Sequence, residues 1–359
     1  MHKDRELHDG RTDGLVPLES LDLDRVTTFA SLLRAMSKTA FGGRALGEAF
    51  EVTREMVSDP ACKVVLTLSG AMTIAKMGKV IAGMIDAGMV QAIVSTGALM
   101  AHGLSEAVGM VHYRHDPRMS DEELFEKGYN RVYDTLEMEA NLNYVEAFTS
   151  RALDTLAPPF SSEKICRAMG RLLAEDGGQG VLRSAYEHDV PVYVPAFTDS
   201  ELGLDLATWA MRKNRSEGKD PRAVLDAVPP YNPYHDLNGF ARFCLEAERL
   251  GIFTIGGGVP RNWAQEVGPF VEIMNHRLGL HLTPPRYRYA VRICPEPAHW
   301  GGLSGCTYSE GVSWGKFVPV EDGGRFAEVY ADATTVWPLL IKGVLEELGR
   351  PAGGGPARS

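Results

Sequence analysis

Four short apolar runs in this chain each lead into a small or polar cluster. Lys63 to Leu68 (KVVLTL) is followed by Ser69-Gly70, and Val90 to Val94 by Ser95-Thr96-Gly97-Ala98. Val190 to Val194 leads towards Thr198-Asp199, and Ile252 to Ile255 runs into Gly256-Gly257-Gly258. β-Branched runs of this length, without polar alternation, read as strands buried on both faces. Between the first two, about Thr73 to Ala87 reads as a helix. Strand, glycine loop, helix, strand is the order of a doubly wound, mainly parallel α/β sheet. The expected architecture is Rossmann-like, with helices on both faces. Ligands of such sheets sit beyond the carboxyl ends of the strands, where small residues let phosphates approach backbone N–H groups. No GxGxxG follows the first strand, so the usual dinucleotide fingerprint is absent. Taken singly, each glycine loop reads first as a tight turn.

The rest of the chain divides by pattern. Thr28 to Met56 reads as helices, and Leu124 to Leu153 reads as helical with a solvated acidic face of Asp134, Glu137, Glu139 and Glu146. Residues 214–236, rich in Pro, Asn and charge, read as a long loop. Tyr287 to Ile293 alternates like a strand and leads into a loop from Cys294 to Tyr308. Glu328 to Tyr330 reads as a last strand before a helix from Thr334 to Leu348. Met72, Met77, Met84, Met89 and Met100 suit core gaps. The expected organisation is a polar, mobile lead-in at 1–24, a single large catalytic α/β domain at 25–350, and a disordered tail at 351–359.

Composition narrows the function classes. The formal net charge is −10, which disfavours nucleic acid, a partner that needs a basic face. It suits a polycationic small molecule through steering, and equally plain solubility. Five cysteines occur without a CxxC pair, the usage of a reducing cytosol without a disulfide framework. The charged start MHKDRELHDG lacks the apolar core of a signal peptide. Val80 to Ala101 is weakly charged but split by Gly83 and Gly88, so no membrane span is expected. His112 and His115 have HxxH spacing without the Glu of HExxH or a cysteine cluster. They read as surface histidines, and no metal is expected.

One lysine stands apart. Glu310-Gly311-Val312-Ser313-Trp314-Gly315-Lys316 places it after a glycine and an indole, with a carboxylate six residues upstream. Lysine amines become nucleophiles in desolvated pockets and then form imines with carbonyl or iminium carbons. Trp314 could supply the apolar wall and a face for cations. A solvated surface position is the ordinary place for a lysine. The segment SEGVSWGK, followed by VYADATTVWPLL, resembles the C-terminal signature of the deoxyhypusine synthase family. TLSGAMT (67–73), VSTGA (94–98), KGYNR (127–131), VPAFTDSELG (194–203) and IGGGVP (255–260) follow the family's order. Together they span roughly residues 25–342, and the likeness is to the bacterial deoxyhypusine synthase-like branch.

The resemblance implies a mechanism and a site. NAD takes a hydride from the carbon beside a secondary amine, as in spermidine. The imine is attacked by the SWGK lysine, here Lys316, and an aminoalkyl group is passed on to a second amine. NAD contacts are implied at Ser69, Gly70, Thr73, Thr96, Gly97, Ala98, Asp199, Asp332 and Ala333. Substrate contacts are implied at Glu310, Trp314 and Gly257. The resemblance also implies a tetramer with active sites at subunit interfaces, in the cytoplasm.

Several pocket positions depart from the family. A Glu pair after the TAG segment is Ala101 and His102 here. An Asp after the SLG segment is Leu204, with Asp205 beside it. A pocket histidine is Asn262, and a pocket Asp is Leu303. His102 could serve as the base, since histidine titrates near neutrality, or hold a structural place. The donor and the acceptor, a protein lysine or a small amine, stay open. A homospermidine synthase-like enzyme and an inactive binder of NAD or polyamine are the alternatives.

Overall fold

In the computed structural model, residues 7–70, 72–215 and 220–349 are described. Six parallel strands form the main sheet: β1 (Cys62–Leu68), β2 (Ala92–Ser95), β3 (Val192–Tyr193), β4 (Arg249–Ile255), β5 (Tyr287–Ile293) and β6 (Arg325–Val329). Their spatial order is β3-β2-β1-β4-β5-β6. The chain therefore winds outward from β1 to β3, returns to the centre, and winds outward again from β4. That order is the doubly wound dinucleotide-binding one, with its switch point between β1 and β4.

Side chains alternate cleanly between two cores. Val64, Leu66 and Leu68 of β1, with Phe253 and Ile255 of β4, face one side. There the helices Phe41–Ser58, Gly78–Asp86, Gly97–Ala107 and Ala333–Glu347 cover them. Val65, Val94, Leu250, Ile252 and Ala290 face the other side, under the helices Tyr234–Leu245, Gly258–Gln265 and Tyr308–Ser313. Burial on both faces is why the strands read as continuous apolar runs. In β4, Gly251 leaves room for Met56, whose sulfur would lie 2.5 Å from an added Cβ.

The strands and the helix pairs follow the expected order, with small shifts of boundary. The helix expected from Thr73 starts only at Gly78, because Lys76 adopts φ +65° and the chain turns before it. One expectation fails in kind. Leu124 to Leu153 is not one helix. A short helix, Asp121–Glu126, ends before Gly128 at φ +69°. An antiparallel hairpin, Tyr129–Val132 with Thr135–Met138, precedes the helix Glu139–Asp154. Tyr133 turns the hairpin at φ +54°. The period-two pattern of TLEM was hidden by the acidic residues around it. Within 214–236, Pro221–Asp226 forms a 3₁₀ turn and a helix already begins at Tyr234. Met84, Met89 and Met100 are buried, and Met72 and Met77 pack against the core. The tail expected at 351–359 lies outside the described residues, as do residues 1–6 of the lead-in.

Candidate active site

The carboxyl ends of β1 and β4 meet at one hydroxyl. Ser69 Oγ accepts from Gly257 N at 2.9 Å and donates to the Ile255 carbonyl at 3.2 Å. Gly256 (φ +77°) makes room for this, since a Cβ there would sit 2.1 Å from Ser69 Oγ. An added Cβ on Gly258 would meet nothing within 4 Å, and one on Gly70 only the end of Met72. The backbone at the switch point is thus bare enough for close approach of a ligand. Thr73 is buried and donates to the Leu99 carbonyl at 2.7 Å, seating its loop on the helix Gly97–Ala107. Thr96 caps that helix, with Gly97 and Ala98 in its first turn. Gly97 packs so tightly on Ser200 that an added Cβ would lie 2.1 Å from its Oγ. Asp199 is exposed beside it. Asp332 caps the helix Ala333–Glu347 by accepting from Thr334 N at 2.8 Å.

Lys316 lies on the second face. Thr307 caps the helix Tyr308–Ser313, and Gly315 at φ +69° turns the chain inward after it. Lys316 N donates to Gly311 O at 3.1 Å, and Lys316 O accepts from Tyr287 N at 3.0 Å. Phe317 then fills the space over Gly311, where a Cβ would lie 2.5 Å from its ring. The lysine is buried, as the nucleophile reading requires. Its Nζ donates to Glu266 Oε1 at 2.9 Å and to Asn262 Oδ1 at 3.2 Å, and lies 5.9 Å from the centre of the Trp314 ring. Trp314 itself is 64% exposed. Beyond it opens a cleft of about 640 Å³ lined by Glu272, His276, Arg286 and Trp314. Glu310 is exposed and faces Cys306, whose thiol is pushed up by burial and by that carboxylate, against Arg261.

The loop before this helix is held from below. Arg261 and Arg292 are both buried, and both donate to the carbonyls of Ser304 and Cys306. Arg292 also pairs with Glu328 at 3.0 Å, and Glu328 accepts from Tyr308 N at 2.8 Å. Leu303, at a position where the resemblance implies a pocket Asp, is half exposed on the same loop.

His102 belongs to a separate cluster. Its Nδ1 hydrogen-bonds Glu137, which also accepts from Ser105 Oγ. His112 Nε2 sits 3.2 Å from the same carboxylate, without hydrogen-bond geometry. Lys76 Nζ donates to His112 Nδ1 at 2.7 Å and pairs with Glu106 at 3.7 Å. Burial pushes the Glu137 carboxyl up, but the bonds from His102 and Ser105, with His112 close beside them, prevail and hold it at about 2. For His102, burial lowers the pKa, and the hydrogen bond and charge of Glu137 outweigh it, aided by Glu201. Two expectations are corrected here. Glu137 is not on a solvated helix face but buried in a strand, and His112 is not a surface histidine. The cause is one ribbon folding Glu137 onto the helix that carries His102.

Most of the expected site residues fall into two groups, with Asp332 and Ala333 apart at the start of the Ala333–Glu347 helix. Ser69, Gly70, Thr73, Thr96, Gly97, Ala98 and Asp199 line the β1–β2–β3 end, and His102 stands behind them. Gly257, Asn262, Glu310, Trp314 and Lys316 cluster on the other face, and the bond from Gly257 N to Ser69 Oγ joins the groups. Among the described residues no hydrogen bond or ion pair links His102 to Lys316. Asp205 stands near Glu146 and Glu201, and burial and Glu146 raise its carboxyl to about 7. Leu204 is exposed and Ala101 buried. Glu266 was missed by sequence reasoning, although Asn262 and Glu266 are spaced i,i+4 and so share a helix side. Among the described residues no group of three or more His, Cys, Asp or Glu could hold a metal ion. No described helix is long and apolar enough to cross a membrane.

Comparison with known proteins adds an independent line. Residues 31–344 match the family model described as deoxyhypusine synthase. A Methanosarcina acetivorans protein named "Probable deoxyhypusine synthase 2" is 33% identical over 329 residues, covering 89% of this chain and 87% of that protein. A Coxiella burnetii "Deoxyhypusine synthase-like protein" is 30% identical over 328 residues, covering 90% of this chain and 87% of its own length. In fold, the chain resembles a solved Entamoeba histolytica protein assigned as a deoxyhypusine synthase. There the TM-score is 0.57 at 15% identity, covering 94% of this chain and all of the other.

Proposed function

The chain belongs to the deoxyhypusine synthase family, and from that premise we propose that it is an NAD-dependent aminoalkyl transferase. Its donor is a polyamine such as spermidine, and the aminobutyl-type group is carried as an imine on Lys316. The observation that carries this reading is the nucleophile itself: a buried lysine, its Nζ held between Glu266 and Asn262 beside an indole. Lysine is seldom buried unless paired, and here the pairing with Glu266 holds the amine in place at that depth.

NAD, when bound, takes the hydride from the carbon next to the donor's secondary amine. The bare strand ends at Gly70 and Gly258 fit a dinucleotide crossing the switch point. Ser69, Thr73, Thr96, Gly97, Ala98 and Asp199 would hold it there, with Asp332 and Ala333 at the end of β6. Trp314 offers an aromatic face and Glu310 a carboxylate to the cationic donor. Lys316 attacks the oxidised donor and releases the smaller amine. His102, oriented through Nδ1 by Glu137, would serve the donor amine as base. Asp205 and Gly257 complete the proposed substrate contacts.

His102 and Lys316 stand on opposite faces of one sheet. This supports a homotetramer in which one subunit's cofactor end meets another's lysine, each subunit contributing one catalytic domain over residues 25–350. The test is direct. Incubation with NAD and spermidine, then borohydride, should leave a reduced aminobutyl adduct on Lys316 by peptide mass spectrometry. A wild-type protein that yields no adduct and no NADH with spermidine or related polyamines would refute the reading.

A further inference from the structure

A carboxylate that belongs to none of the family-like motifs sits closest to the reacting atom. We propose that Glu266 is a catalytic residue. It takes a proton from Lys316 before attack and hands it to the departing amine. The proposal rests on the lysine-imine reading above.

A lysine attacks carbon only as the neutral amine. Among the described residues, the side chains that accept from Lys316 Nζ are Glu266 and Asn262. The Asn262 amide oxygen accepts a hydrogen bond but takes no proton under ordinary conditions. Glu266 is the one acceptor of the two that can take it. The other ionisable groups nearby are committed elsewhere. Glu310 faces Cys306, Glu272 pairs with Arg286 at 3.5 Å, and Arg261 donates to loop carbonyls. Backbone bonds on both sides of Lys316 keep Nζ in reach of Glu266. The outer side of Glu266 remains open, with its side chain 46% exposed. A donor seated against Trp314 would strip water from that side. Losing water penalises the separated charges of an ammonium–carboxylate pair and brings the neutral pair within reach.

The step balances. Lys316 gives one proton to Glu266, and its lone pair forms a bond to the donor's iminium carbon. A second Lys316 proton moves to the donor nitrogen. The carbon–nitrogen bond to that nitrogen breaks, and its electron pair leaves with the smaller amine. Glu266 protonates this amine and is ionised again, while Lys316 holds the alkyl group as an iminium. No electrons are needed beyond the hydride already passed to NAD.

Rapid-quench experiments on the full-length protein with NAD and spermidine separate two events, NADH absorbance and borohydride-trapped adduct. Glu266→Gln is expected to slow adduct formation by about 100-fold or more, and far more than NADH formation. The deficit should shrink as pH rises, because hydroxide in solvent can then remove the proton. Glu266→Asp should fall between the two. A Gln variant that forms adduct at the wild-type rate overturns the proposal. So does one whose deficit is the same at every pH, which would make Glu266 a structural partner. Parallel loss of NADH formation would also overturn it, by assigning Glu266 to donor binding. Native circular dichroism of both variants excludes misfolding. If the wild type forms neither NADH nor adduct, the lysine-imine reading itself falls.

Discussion

Replacing Glu137 by glutamine isolates one buried charge, and its effect should depend on pH in a defined way. The carboxyl is 1% exposed and held at about 2 against an ordinary 4.5. At 1.36 kcal/mol per decade, that difference is worth about 3 kcal/mol. A lowered acid contributes fully above its unfolded value and loses its share as pH falls from about 4.5 towards 2. The same contact appears in His102, whose pKa is raised in the fold. That share is present below the ordinary 6.5 and is lost as pH rises through the folded value. The two describe one interaction and are not added. The wild type should therefore exceed Glu137→Gln most at about pH 5 to 6, with the gap narrowing on both sides. A chain of 359 residues has an unfolding entropy of roughly 0.75 kcal/mol/K. About 3 kcal/mol then corresponds to about 4 °C in Tm. Differential scanning calorimetry from about pH 3.5 to 8.5 would follow the gap. A Tm difference independent of pH would refute the ion-pair account and leave only packing and hydrogen-bond loss.

Other outcomes follow from the same geometry. Lys316→Arg should abolish the trapped adduct and leave the NAD thermal shift near normal, because arginine keeps the charge but cannot deprotonate. Saturating NAD, at about 100 times its Kd, should add about 2.7 kcal/mol of stability, and the absence of any shift in calorimetry would count against the strand-end cofactor site. Asp205, raised to about 7, costs the fold stability as pH rises through its unfolded range and up to that value. Asp205→Asn should therefore raise Tm near pH 8 and change it little near pH 3, in the same instrument. Gly257→Ala would put a Cβ 2.5 Å from Ser304 Cα, a clash with backbone, and should lower Tm by several degrees while slowing adduct formation.

Legibility from sequence followed the range of the contacts. β1, β2 and β4 showed because each is buried on both faces and stops at Ser69, Thr96 or Gly256, a local signal. Lys316 showed through the motif that turns it inward, Gly315 included. Glu266 reaches Lys316 across 50 positions, and Glu137 reaches His102 across 35. No local periodicity reports such pairings. The acidic run around Glu137 favoured a solvated helix, and only the Gly128 break and the alternation of TLEM pointed to a ribbon. The separation of His102 from Lys316 by the thickness of the sheet was invisible for the same reason, since it follows from strand order alone.

The two arginines beneath the 294–308 loop have an evolutionary consequence. Arg261 and Arg292 grip carbonyl oxygens of Ser304 and Cys306. A carbonyl is the same whatever side chain its residue bears. The loop can therefore exchange its outward residues while its path, and with it the placement of Tyr308 to Lys316, stays fixed. Leu303 in place of a carboxylate is such an exchange. If Lys316 acts as proposed, a scaffold built this way would separate the group that makes the covalent bond from the surface that selects its partner. On that proposal, changes of amine specificity would accumulate one side chain at a time without passing through an unfolded ancestor.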